Sequence, residues 1–239
     1  MPKKDSNLIE VRVDTDHWYP APKPHEGEMW PSVTTILGVG YPKGVGFFKW
    51  LIKHMSWEHA CEERDAAATR GTNVHKAVEK MMKNRKVVLT MEEFNLEQWW
   101  MIESFFNFCQ DHRPKFTKGD VEKRVFDPTL KTAGTLDFNP IIDGERHCID
   151  FKTSDQIQIT HKIQSSQYGK MVGADWAGVL KLGAKNDRGY IFEEWRMNSK
   201  KAKAYLGGFK AAKTIFHIER PRAAPKVKLV PKTLSLSRL

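Results

Sequence analysis

The sequence predicts an α/β fold, a central mixed β-sheet flanked by helices, and three observations predict it. Segments with period-2 apolar alternation recur at 121–126, 138–142, 145–151, 176–182 and 190–197. Segments with helical spacing precede, interrupt and follow them, at 47–68, 66–82, 91–111, 159–173 and 199–218. Asp143-Gly144 sits between two of the strand patterns as a two-residue hairpin signal. The order is helices, a meander of about three strands, a helix, two strands and a helix, which suits helices packed over one mixed sheet.

Residues 8–13 read as a short strand. His17-Trp18-Tyr19-Pro20 clusters aromatics ahead of a Pro-rich stretch, in a place suited to covering a core edge or, less often, to stacking on bases. Trp30-Pro31-Ser32 reads as a short strand or as a helix start with Ser32 as cap, and Gly38, Gly40, Gly44 and Gly46 leave a loop. Phe47, Leu51, Met55 and Trp57 then mark a helix. A second helix carries Arg70-Gly-Thr72-x-x-His75-x-x-x-Glu79, with Thr72 as a plausible N-cap and with His75 and Glu79 on one face. The apolar content of 91–111 (Phe94, Trp99, Ile102, Phe105, Phe106, Phe108) is core-forming. Lys185-Asn-Asp-Arg-Gly189 joins the last two strands, and Asn198 or Ser199 caps the final helix.

The chain has 239 residues, 40% of them hydrophobic, enough for one substantial core. No apolar run approaches the roughly 20 residues of a membrane helix. Met1-Pro-Lys-Lys-Asp5 leads into no apolar stretch, so an intracellular protein, in bacterial or host cytoplasm and not secreted, is expected. Cys61, Cys109 and Cys148 are scattered without CxxC spacing, which argues against zinc, a disulfide framework or an iron–sulfur cluster. The net charge of +10 is localised: residues 200–239 hold eleven of the 39 bases and one of the 29 acids, so the remaining 199 residues are net neutral. A basic C-terminal segment, with Lys200, Lys201 and Lys203 at its start, points to a polyanion partner. Residues 221–239 are rich in Pro and Lys and read as an extended or disordered basic tail, after an N-terminal arm (1–30) and a main domain (31–220).

The chemistry concentrates between residues 134 and 168. There Gly134-x-x-Asp137, Asp150-Phe-Lys152-Thr153 and Gln164-x-x-x-Tyr168 follow one another. If the strands around Asp143-Gly144 pair, Asp137 and Asp150 lie at neighbouring strand ends, and Lys152 shares the face of Asp150. A bare Asp-x-Lys tripeptide is common by chance in so charged a chain. Two carboxylates and an ammonium set among apolar strand residues instead suggest a divalent cation beside a phosphate-handling lysine.

In order, Arg70-Gly-Thr-x-x-His75, Gly134-x-x-Asp137, Asp150-x-Lys152-Thr153 and Gln164-x-x-x-Tyr168 resemble the RecB-type exonuclease branch of the PD-(D/E)XK nuclease superfamily. That branch includes phage exonucleases and the mitochondrial genome maintenance exonuclease, whose N-terminal segment the stretch Pro31-Ser-Val-Thr-Thr-Ile-Leu37 also resembles. The resemblance spans residues 31 to about 195. It implies a restriction-endonuclease-like core and a metal-dependent deoxyribonuclease. It further implies Mg²⁺ or Mn²⁺ held by Asp137, Asp150, the backbone carbonyl of Phe151 and His75. Lys152 would position the attacking water and stabilise the phosphate. Gln164 and Tyr168 would orient Lys152 or contact DNA, with Arg70, Thr72 and Thr153 as further contacts. Glu122 matches an acidic position of some members and would serve a second metal or the water. The cysteines of iron–sulfur relatives are absent, and no GxxxxGK[ST] is present, so no cluster is expected and any helicase or recombination protein would be a separate partner.

These readings predict a DNA exonuclease acting on linear single- or double-stranded DNA in recombination, repair or phage genome processing. The alternatives are an endonuclease of the same superfamily, a non-catalytic nucleic-acid-binding module on the same scaffold, and a protein whose basic tail docks on an acidic partner.

Overall fold

The computed structural model describes residues 8–12, 16–54 and 56–231. Strands β1 (Leu8–Arg12), β2 (Trp18–Pro20) and β3 (Met29–Pro31) lead into helices α1 (Val33–Gly40), α2 (Val45–Lys53), α3 (Trp57–Lys83) and α4 (Leu96–His112). Next come β4 (Val121–Asp127), β5 (Thr132–Phe138), β6 (Ile141–Ile142) and β7 (Glu145–Lys152). Helix α5 (Ile159–Val172), β8 (Trp176–Leu182), β9 (Tyr190–Arg196), α6 (Lys200–Glu219) and β10 (Val227–Pro231) complete the chain.

The main sheet is mixed, with strand order β4-β5-β7-β8-β9 and β6 attached to β7. Its β7–β8 pair is parallel and the other pairs are antiparallel. Helix α5 makes the crossover that a parallel pair requires. Alternation along β7 and β8 feeds two cores. Ile149, Phe151, Leu180 and Leu182 face Val74 and Val78 of α3 and Ile102, Phe105 and Phe108 of α4. Cys148 faces the other way, into a core with Leu136, Ile36 and Leu37 of α1, Ile163 and Tyr168 of α5, and Phe209 and Phe216 of α6. Helix α5 also approaches the sheet through polar contacts. The Ser165 hydroxyl lies 3.2 Å from the Cys148 carbonyl and 2.8 Å from the Gly178 carbonyl, and Trp195 donates to Ser166. Among the described residues no helix is long and apolar enough to cross a membrane.

Local signals placed most elements, and five details differ. The loop expected over the glycines shrinks to 41–44, because Gly38 and Gly40 lie in α1 and Gly46 in α2. The helix expected over 47–68 is broken: α2 ends at Lys53, and Ser56 caps α3 by accepting from the His59 N–H; Met55 lies outside the described residues. Thr72 is not a cap but an interior residue of α3, its hydroxyl donating to the Ala68 carbonyl. The strand expected over 138–142 is split, because Asn139-Pro140 interrupts it. Asp143 and Gly144 adopt positive φ (50° and 85°), the geometry of a tight primed hairpin turn. Within the expected tail, β10 pairs antiparallel with β1, from Leu8 opposite Pro231 to Arg12 opposite Val227. Val13 and residues 232–239 lie outside the described residues.

The Trp30–Leu37 stretch combines both readings of it. Met29–Pro31 pairs with β2, and Ser32 then caps α1, its hydroxyl accepting from the Thr35 N–H at 2.9 Å. Trp18 is buried in the core against α1 and α6, so the N-terminal aromatic cluster covers a core edge.

Candidate metal centre

The site begins as a row across the sheet. The β4–β5 register pairs Val121 with Phe138 and Lys123 with Leu136, which sets Glu122 opposite Asp137. The β5–β7 register pairs Phe138 with Ile149, and its continuation sets Asp137 opposite Asp150. Carboxylates on three adjacent strands therefore share one row, where like charges oppose each other. The strands give way around it. Phe138–Ile149 is the one pair formed between β5 and β7, and the Asp137 carboxylate supplies the next acceptor, taking the Phe151 N–H at 2.6 Å. Glu122 sits at φ 50°, the left-handed region a β-strand residue rarely adopts. Such strain persists where surroundings hold it and collects at functional sites.

Helix α3 brings His75 over this row. Its Nδ1 is 3.7 Å from an Asp137 oxygen, and its ring meets Phe151 edge-on. Donor atoms of His75, Glu122 and Asp137 all lie within 4.8 Å of one another, so this cluster could hold a metal ion. One imidazole and two carboxylates form a hard donor set suited to a divalent cation.

Asp150 is not part of that cluster. Its oxygens take Nε2 of Gln164 at 2.8 Å and Nζ of Lys152 at 2.6 Å. Period-2 spacing along β7 thus puts the lysine beside its acid as expected, and α5 contributes Gln164 to hold that acid in place.

The charges perturb one another. Burial, with Asp137 and Glu79 adding to it, pushes Glu122 up to about 7. Burial pushes Asp150 up to about 6 against the pull of Lys152. Burial also opposes ionisation of Asp137, but His75, Lys152 and the Phe151 N–H outweigh it, and its pKa falls below the ordinary carboxylate value. His75 and Lys152 move up, because facing carboxylates overcome their desolvation. Nearby His161 is driven down to about 3 by burial and the Lys152 charge. The row is thus an under-compensated acidic site in which one carboxyl stays ionised and two hold protons up to near neutrality.

Two glycines explain how distant motifs meet. A Cβ on Gly71 would lie 2.9 Å from the Thr153 hydroxyl, so α3 passes this close to the end of β7 because residue 71 has no side chain. A Cβ on Gly134 would lie 2.5 Å from the Tyr168 ring. Tyr168 is thereby a buried residue packed on β5, 2% exposed. Arg70 pairs with Glu97 of α4 at 3.4 Å, and Thr72 is exposed on α3. Lys200, Lys201 and Lys203 are exposed on the first turn of α6, with Lys201 over the Trp195 ring.

Sequence reasoning missed a second buried carboxylate, Asp127. It accepts from Gln167 and Lys170 of α5, both at 2.8 Å, and from the Leu130 N–H at 3.0 Å. Asp127-Pro128 read only as a turn; its tie to α5 spans 40 residues and leaves no local signal.

No protein-family model matches this chain, and no curated protein matches it.

Proposed function

We propose that this protein is a metal-dependent deoxyribonuclease, hydrolysing phosphodiester bonds of linear DNA by attack of water. The observation that carries this reading is the convergence of His75, Glu122 and Asp137 at metal-binding distance, one strand away from the Asp150–Lys152 pair. Mg²⁺ or Mn²⁺ fits the donor set, and the imidazole favours Mn²⁺. Bound there, the cation supplies charge neutralisation and Lewis-acid polarisation of the phosphoryl group.

The protein's groups divide the remaining work. Asp137 stays ionised and anchors the cation, with His75 and Glu122 completing its protein ligands. Lys152 has a raised pKa, so at neutral pH it is an ammonium that donates to a phosphoryl oxygen and stabilises the charge developing there. It is not a base. Glu122, pushed up to about 7 by burial in the metal-free site, would give up that proton on ligating the cation, and its free carboxylate oxygen would orient the attacking water. Gln164 keeps Asp150 turned toward Lys152, and so keeps the ammonium in position. Exonuclease action in recombination, repair or phage genome processing follows from the motif resemblance, and the exposed lysines of α6 suit a polyanionic substrate.

The test is digestion of end-labelled linear and circular DNA, single- and double-stranded, with Mg²⁺, Mn²⁺ or EDTA, comparing wild type with Lys152→Ala. Metal-dependent loss of linear DNA by the wild type alone supports the reading. Loss of circles makes the enzyme an endonuclease. Normal turnover by Lys152→Ala sinks the assignment of Lys152.

A further inference from the structure

A second charged feature lies further along α3. After Lys83 the helix stops at Asn84, whose side chain accepts from the Lys86 N–H at 3.2 Å and closes a tight turn. Facing that turn is the segment 116–118, itself fixed because Thr117 donates through both its N–H and its hydroxyl to Asp120 at 2.8 Å. Between them is a cleft of about 350 Å³ whose eight lining residues include Lys83, Arg85, Lys86 and Lys118 and no acid. Lys83 is paired with Glu79 at 2.7 Å. Among the described residues, Arg85, Lys86 and Lys118 have no carboxylate within ion-pair distance.

Arg85 is pre-organised. Its guanidinium carbon lies 4.8 Å from the centre of the Phe116 ring, and its Nη2 donates to the Phe116 carbonyl at 3.2 Å. A guanidinium stacked on an aromatic ring loses little further freedom on binding, and its remaining N–H groups form a fork that matches phosphate. Cations at a helix C-terminus complement its dipole, which accounts for Lys80 and Lys83. It does not account for Lys118, which comes from another segment, or for a concave arrangement around a ring.

The position is informative. Lys83 follows His75 by eight residues and Glu79 by four, so all three share one face of α3. Eight residues of helix span about 12 Å, and a nucleic-acid strand covers that distance in roughly three to four nucleotides at 3.4 Å each.

We propose that this cleft is a second nucleic-acid subsite, in which Arg85, Lys86 and Lys118 hold neighbouring backbone phosphates of the substrate strand a few nucleotides from the metal cluster. The inference rests on the nuclease reading for its substrate, but its test reads binding rather than cleavage.

The experiment is fluorescence anisotropy with a labelled 20-nucleotide single strand in EDTA, over a salt series, using the full chain and the double variant Arg85→Ala/Lys118→Ala. Two lost phosphate contacts should reduce the slope of log affinity against log salt by about 1.4 and weaken binding roughly tenfold at low salt. Arg85→Lys with Lys118 intact should keep most of the slope, because charge rather than the fork sets it. Thermal stabilisation by Mn²⁺ should be the same in the double variant and the wild type, since the cluster is intact; loss of that stabilisation would mean that the substitutions disturb the fold, and would overturn the assignment. An unchanged slope with affinity within twofold of wild type also overturns it, whatever the protein cleaves. Equal weakening toward a poly-glutamate peptide would make the cleft a general anion surface and overturn the strand assignment. If the wild type cuts no DNA and yet the double variant loses strand binding, the nuclease reading fails and the subsite stands.

Discussion

Gly134→Ala offers a sharp test of how the central motif is built. The added Cβ would sit 2.5 Å from Cε1, 2.6 Å from Oη and 2.8 Å from Cζ of Tyr168. Non-bonded heavy atoms prefer separations of about 3.5–4.0 Å, so the ring must retreat by roughly 1 Å. It has nowhere to go, being 2% exposed in a core with Leu136, Cys148 and Ile163. Overpacking of this kind costs about 1–3 kcal/mol. Removing the ring instead, as Tyr168→Ala, should cost about 3–5 kcal/mol through lost burial and a cavity. In the double variant the methyl enters the space the ring has left. That variant should be no less stable than Tyr168→Ala alone, a departure from additivity of about 1–3 kcal/mol. Urea unfolding followed by circular dichroism reads all four proteins. Additive costs, or Gly134→Ala unfolding at the wild-type midpoint, would show that Tyr168 does not occupy the space above residue 134. The glycine of the Gly-x-x-Asp motif would then need another explanation.

Metal affinity should depend on pH through Glu122, whose folded pKa of about 7 lies above its ordinary value. Cation binding must displace that proton and the one held by His75, whose pKa is also raised, so affinity should rise steeply with pH, falling by more than about tenfold per unit where both groups are protonated; Mn²⁺ calorimetry from pH 5.5 to 8 checks this, and Glu122→Gln should leave a shallower profile set by His75. Glu122 works against folding in the absence of metal. Between its unfolded value and about 7 the native state holds the extra proton, so its contribution to stability declines as pH rises through that window. Asp127 behaves in the opposite sense. Its pKa is lowered by Lys170, the Leu130 N–H and Gln167 against the effect of burial, so its contribution is present above the ordinary carboxylate pKa and is lost as pH falls through the depressed one. Asp127→Ala should destabilise by about 2–3 kcal/mol at pH 7, as charge-assisted hydrogen bonds are lost and Lys170 returns to water, and the difference from wild type in urea titrations should shrink toward pH 3. Gln164→Leu should lower turnover more than metal affinity, since the amide touches Asp150 and not the cluster; an equal loss of Mn²⁺ binding would contradict that division.

What the sequence determined by itself is whatever neighbouring residues decide. The Asp143-Gly144 turn follows from φ preference, and the helix starts near Ser32 and Ser199 follow from a side-chain acceptor, in one of two readings the sequence offered for the first and at one of two residues for the second; all are in place. Alternation likewise put Lys152 on the face of Asp150. The tertiary structure decided what depends on partners far along the chain. The motif around residue 70 lies inside one continuous helix, where Gly71 passes close to the hydroxyl of Thr153, 82 positions later. Glu122 becomes a central member of the site only because strand pairing sets it opposite Asp137 and its left-handed φ is held there, while Asp150 turns to Lys152 and Gln164. The pairing of β1 with β10 joins the two ends of the described chain, a closure that no local pattern encodes. Conformational preference acts over a few residues, whereas the cost of gathering like charges and the gain from burying rings are settled only once strands and helices from across the chain are packed together.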